Sequence, residues 1–359
     1  MKRMNPDRRE WLLRRGRLNG RLHLRLANLG AAIGPRQAIK IRSAVVAVPS
    51  LLIAEKAEQR QQILSVISQI EHSLRSGRHK VKLDFSPVRK IFPGGMLLLL
   101  AALSQLADLY AGKILARCPP NSLSAQLLNH FGLAKKLKVS LHLSRPTHHS
   151  VLAWSFLTGT QAAGVQVTEL LDRYREGTTA AIPEGLFAVL TEGLTNVRQH
   201  AYKDLPQVQE SWRKWWLFAR YEEPKPGSEG SLYIAIYDIG AGIPATMRNK
   251  LQKKEIVVDL LDKSGKLLSL SDGVMLDKKL MFEAVEHRRS QTGEGHRGNG
   301  LPEMKEFAAS NQGGRLHIIS GRVQYSIVRG NAEGQVQGHK DELPGTLLLW
   351  GLPLKAKES

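Results

Sequence analysis

The chain has 359 residues, 42% of them hydrophobic, and carries 52 Lys and Arg against 32 Asp and Glu for a net charge of +20. Such a length can bury a sizeable core and favours two domains over one. No apolar run is long enough to span a bilayer, since Met96 to Leu103 is followed by Ser104, Gln105 and Asp108, and the lone Cys118 excludes an intrachain disulfide or a multi-cysteine metal site.

Residues 1–42 hold twelve Lys or Arg against Asp7 and Glu10, so half of the charge excess sits in this arm. Arg14, Arg15, Arg17, Arg21 and Arg25 interleave with Leu12, Leu13, Leu18, Leu22, Leu24 and Leu26, which predicts a basic amphipathic helix. Such a helix suits nucleic-acid phosphates, an acidic partner or an anionic membrane surface; equally, it can dock its leucines on its own protein. The arm lacks an apolar h-region and a small-residue cleavage site, and its acids and want of serine count against mitochondrial targeting, so a cytoplasmic location is expected.

Beyond the arm, the pattern predicts a strand over 39–48, a helix over 51–75 and a strand over 80–85. A turn at Pro93-Gly94-Gly95 precedes a helix over 96–111, a strand over 113–118, a Pro-Pro break and a helix over 122–131. Alternating strands and helices imply an α/β layer. Residues 43–145, through Lys82-Leu83-Asp84-Phe85-Ser86-Pro87-Val88, Ile91 and Gly95-Met96 before an apolar helix, resemble the STAS domain of anti-sigma-factor antagonists. That family's phosphoacceptor serine falls at Pro93 or Gly94, so phosphorylation is not expected there. Residues 146–183 read as a connector with one helix at most.

From Leu186 to Tyr202 a helix is predicted in which Leu186, Leu190, Leu194, Val197 and Ala201 share one arc. Glu192, Asn196 and His200 recur every four residues and stack on the other side. A carboxylate one turn before an amide oxygen suits Mg²⁺ with its phosphate ligands and suits water activation, although taken alone the stack reads as a solvated face. Ser231 to Asp238 alternates as a strand and runs into Ile239-Gly240-Ala241-Gly242-Ile243-Pro244. Asp238 there is placed to accept from an exocyclic amine such as adenine's, and Gly240 and Gly242 let backbone approach a flat base; an ordinary β-turn also fits. Gly293 to Leu301, containing Arg297, Gly298, Asn299 and Gly300, leads into a helix over 301–309. That junction favours phosphate through backbone N–H groups and the helix dipole, with Arg297 as a charged contact, or serves as a flexible linker. Strands are predicted over 314–320, 322–328 and 345–352, and Trp212, Trp215 and Trp216 anchor another.

In order and separation, these three pieces resemble the N-box and two glycine boxes of the gyrase, heat-shock chaperone, histidine kinase and MutL (GHKL) ATPases, over residues 184–352. The resemblance implies Glu192 as catalytic base, Asn196 as Mg²⁺ ligand and Asp238 as the adenine-reading carboxylate. It also implies a nucleotide shell of His200, Gly240, Gly242, Ile243, Arg297, Gly298, Asn299, Gly300 and Leu301. The segment from Glu192 to His200-Ala201-Tyr202 is most similar to the anti-sigma-factor serine kinases. Gln199 stands where histidine kinases usually place a basic residue.

The expected architecture is therefore α/β: an arm over 1–42, a STAS-like domain over 43–145, a connector over 146–183, and a GHKL (Bergerat) sandwich over 184–359. The sandwich is expected to have a mixed, mainly antiparallel sheet covered by helices on one face. Its ATP lid spans 245–292 and offers Lys250, Lys253, Lys254, Lys278 and Lys279. The expected function is a Mg-ATP-dependent switch with slow hydrolysis, a protein partner and a homodimer as a further option. The alternatives are a protein serine kinase and a nucleic-acid-binding ATPase that uses the arm.

Overall fold

The computed structural model describes residues 43–76, 80–137, 139–144, 147–161, 164–178, 180–224, 229–253, 268–269, 272–287, 300–311, 313–328 and 331–355. The arm, Lys254, Arg297, Gly298 and Asn299 lie outside these residues. The structure is mixed α/β. No helix among the described residues is long and apolar enough to cross a membrane.

The N-terminal layer is a parallel three-stranded sheet, β1 (Ala44–Ala47), β3 (Val81–Asp84) and β5 (Ile114–Arg117), with β3 central. Beside it the two-residue strands β2 (Leu51–Leu52) and β4 (Lys90–Ile91) pair in parallel. Leu51 and Leu52 were expected in a helix. A short apolar run does not declare its period, and here the pairing with β4 takes it, so α1 starts only at Ala57 and ends at Arg75. Helix α2 (Pro93–Leu109) likewise starts three residues earlier than expected: Pro93 occupies its first turn, where the missing N–H goes unused, and Gly94 and Gly95 are helical. Both glycines allow close contact. A Cβ on Gly94 would stand 2.7 Å from Leu349 Cδ2, and one on Gly95 would overlap the backbone of Leu52.

Helix α2 is apolar on all sides, which marks a helix buried all round. Leu97, Leu98, Leu99 and Leu100 are each at most 1% exposed, and burying one such side chain stabilises the fold by about 1.5–3 kcal/mol. Helices α3 (Leu123–His130), capped by Ser122 Oγ accepting from Ala125 N at 3.2 Å, and α4 (Leu133–Leu137) complete this layer.

Residues 146–183, expected as a connector, contain α5 (His149–Leu152), strand β6 (Trp154–Gly159) and α6 (Gly164–Gly177). Strand β6 forms one edge of the main sheet. Polar Ser155 and Thr158 hide its strand character, but an aromatic cluster fixes it: Trp154 meets Phe218 edge-on at 5.7 Å, and Phe131 lies 4.6 Å from Phe218.

The main sheet runs β6, β7 (Trp215–Glu222), β8 (Gly230–Asp238), β10 (Asn331–Leu354), β9 (Arg315–Val328) and is antiparallel at every pairing, not mixed. The two strands expected over 314–328 form the single strand β9, which continues through Gly321 at φ +59°. Helices cover both faces, not one. The two-residue period of each strand divides its apolar residues between two cores. Trp215, Leu217, Ile234, Ile236, Leu348 and Trp350 face one, together with α6, α7 (Leu186–Asn196) and α10 (Gly300–Ser310). Trp216, Phe218, Ala235, Tyr237, Leu347 and Leu349 face the other, with α1 and α2. The N-terminal layer thus supplies the second covering of the sheet.

Candidate functional site

Glu192 and Asn196 lie on α7, which packs closely on β8: a Cβ on Gly193 would reach 2.9 Å from Ile236 Cδ1. The helix does not continue regularly to Tyr202. From Val197 to Ala201 it widens into a π-turn, so His200 no longer stacks one ideal α-turn above Asn196. The freed carbonyl of Ala201 accepts from Ala241 N at 2.6 Å, which ties the helix end to the turn after β8. Gly240 is needed at this crossing, because a Cβ there would lie 2.6 Å from Ala201 Cβ.

Asp238, the last residue of β8, is 4% exposed. Its Oδ1 accepts from Gly240 N at 2.7 Å. Burial pushes the carboxyl up to about 7, against the opposing backbone hydrogen bonds from Gly240 and Thr346. Gly242, at φ +80°, turns the chain into α8 (Ile243–Gln252), whose first N–H, on Ile243, donates to Ser320 Oγ at 2.9 Å. Ser320 in turn donates to Gly345 O at 2.8 Å. Ser320 and Gly345 therefore shape the turn into α8, although neither stood out in the sequence. Gly345, at φ +77° inside an apolar strand, was the one available signal, since glycine in a strand marks a bulge or a close approach.

Glu192 reaches in the other direction. A Cβ on Gly300 would collide with its carboxylate, so the side chain lies against the first residue of α10. Burial first, and then the nearby Glu303, raise the Glu192 carboxyl above its usual range. Leu301 packs at the edge of the core beside α7. Near the junction Thr191 Oγ1, Asn196 Nδ2 and His200 Nδ1 are buried without hydrogen-bond partners among the described residues. Burial, followed by Lys250 and Lys203, holds the His200 imidazole down at about 4, so it is neutral at pH 7.

The helix that carries Glu192 and Asn196 therefore meets Gly300 through Glu192 and, through the π-turn and Ala201, the turn that holds Gly240 after Asp238. The described part of the expected lid is largely built into the fold. Helix α9 (Gly273–Glu286) buries Leu276, Leu280, Met281 and Val285. Arg248 Nε donates to Asp277 Oδ1 at 2.9 Å and joins α8 to α9, while Glu286, bonded to Lys305 and at 2.6 Å to Tyr325 Oη, joins α9 to α10 and β9. Two of the expected lid lysines are engaged by carboxylates, Lys253 with Asp204 at 3.3 Å and Lys279 with Glu283 at 3.4 Å. Among the described residues, no group of three His, Cys, Asp or Glu side chains is placed to hold a metal. A Mg²⁺ with phosphates as its main ligands asks less of the protein, and Asn196 beside Glu192 fits that limited demand. No protein-family model, no curated protein and no solved structure matches the chain.

Proposed function

We propose that the chain binds Mg-ATP around the end of α7 and acts as a nucleotide-dependent switch of the GHKL type, with residues 43–145 as a STAS-like layer covering the second face of its sheet. The observation that carries this reading is the double contact of one helix. Glu192 lies against Gly300 at the start of α10, and Ala201 is bonded to the turn that follows Asp238. Asp238 is then the acceptor for the adenine amine, and the start of α10 is the phosphate-facing end, where backbone N–H groups and the helix dipole favour anions. Asn196 holds the metal, which neutralises phosphate charge when bound. Glu192, with its raised proton affinity, orients and deprotonates the attacking water.

Calorimetric titration with Mg-ATP tests the reading: Asn196→Ala abolishes binding, while Glu192→Ala binds but loses turnover. Equal affinity in Asn196→Ala sinks the assignment. With labelled ATP and a host lysate, release of free phosphate supports the switch, whereas a labelled protein band supports the kinase alternative.

A further inference from the structure

The parallel sheet of the N-terminal layer ends at β1, which pairs with β3 on one side only. Ala44 N donates to Lys80 O and Val48 N to Asp84 O, both at 2.9 Å, so alternate residues, Ala44, Val46 and Val48, turn their backbone groups toward β3. Val45 and Ala47 turn theirs the other way, and among the described residues they have no backbone partner there. Val45 is 66% exposed, and Ala47 is exposed too. Two N–H groups and two carbonyls thus form an open edge that accepts one more strand.

The chain itself supplies the occupant. The arm, outside the described residues, ends at Arg42, directly before this strand. Within it Leu22, Leu24 and Leu26 alternate with Arg21, His23 and Arg25, the two-residue period of a strand with one apolar face. Gly16 and Gly20 oppose the helix that the arm's leucines otherwise suggest. Residues 27–43 join this segment to β1, and at ~3.3 Å per residue they reach roughly 55 Å, against ~4.8 Å between neighbouring strands. Size disfavours a separate partner. An edge ~13 Å long falls far short of the ~800 Å² per partner that a stable interface buries, whereas a tethered segment acts at an effective concentration of order mM.

We propose that residues 21–26 pair with the free edge of β1 as a fourth strand, bonded to the backbone of Val45 and Ala47. Leu22, Leu24 and Leu26 then lie on the side of buried Val46, which α1 covers, and Arg21, His23 and Arg25 on the open side with Val45 and Ala47. The proposal does not depend on nucleotide binding.

Hydrogen exchange of the full-length protein, followed by NMR, reads the pairing at single amides, with Val48 N–H, bonded to Asp84 O, as the internal reference for the fold. Val45 and Ala47 N–H are expected to exchange at least about a hundredfold more slowly than in an unstructured chain, the scale of several added hydrogen bonds. Leu24→Pro removes a donor from the added strand and returns both amides to within about tenfold of the unstructured rate, with Val48 still protected. Leu12→Pro, in the arm but outside the segment, changes neither. Unprotected Val45 and Ala47 in the parent, protection that survives Leu24→Pro, or equal loss in Leu12→Pro would each overturn the proposal. Protection that falls on dilution would also overturn it, by assigning the edge to a second copy of the chain.

Discussion

Asp238→Asn separates the stability of the fold from its proposed use. In the folded chain burial raises the carboxyl from 3.8 to about 7. Between those values the native state holds a proton that the unfolded chain has released, so this group's contribution to stability falls as pH rises from about 4 to 7. At ~1.4 kcal/mol per pH unit, the ionised group at pH 8 costs about 3–4 kcal/mol relative to pH 4. Asparagine keeps an acceptor for Gly240 N–H but adds an N–H donor, which costs about 1–3 kcal/mol if unmatched. The variant is thus expected to be about 0–3 kcal/mol more stable than the parent at pH 8, and no more stable at pH 5. His200 and His317, both held down at about 4 by burial, tilt the parent's profile the other way, with stability rising from pH 4 to 6.5. The difference between variant and parent cancels that background. Urea unfolding of both proteins at pH 5 and 8 measures it, and a difference independent of pH refutes the reasoning. At pH 8 the same variant should bind Mg-ATP tenfold to a hundredfold more weakly, on the order of the ~1.5–3 kcal/mol carried by a hydrogen bond to a charged group.

Gly300→Ala places a methyl where the Glu192 carboxylate lies; ATP turnover should fall at least about tenfold, as for a displaced catalytic group, with little loss of thermal stability. Gly95→Ala drives a Cβ into the backbone of Leu52, a rigid neighbour, and should destabilise by about 3 kcal/mol or more in denaturant titrations. Because α2 covers the main sheet, both layers should lose structure in one transition at lower denaturant. Arg60 is 4% exposed and donates to Ala54 O at 2.5 Å and to Gln324 Oε1 at 3.0 Å, bridging α1 to β9. Arg60→Met should destabilise by about 2–4 kcal/mol through the unmatched groups left behind, and adding Gln324→Leu should recover part of the loss in a double-mutant cycle.

Much of the local structure was legible because its signals are short-range. The alternation of Ser231 to Asp238 foretold β8, Gly240 and Gly242 foretold the turn after it, and Ser122 after Pro-Pro foretold the start of α3. The runs Trp215 to Ala219 and Leu347 to Trp350 are apolar on both faces of their strands. That is the mark of a sheet covered on both sides, in contrast to the one-sided covering that the GHKL resemblance implies. Strand β6 escaped because an edge strand with Ser155 and Thr158 carries little apolar period, and its place is set by Phe131 and Phe218, distant in sequence.

The sequence by itself determined the order and local placement of Glu192, Asn196 and Asp238, since spacing along one helix, and the end of one strand before a glycine turn, are set by neighbouring residues. Only tertiary structure decided how they stand. The π-turn at Val197–Ala201 and the contact of Glu192 with Gly300 arise because segments far apart in the chain compete for the same space and the same hydrogen bonds. The raised proton affinity of Asp238 has the same origin, because desolvation depends on everything packed around a group rather than on its sequence neighbours.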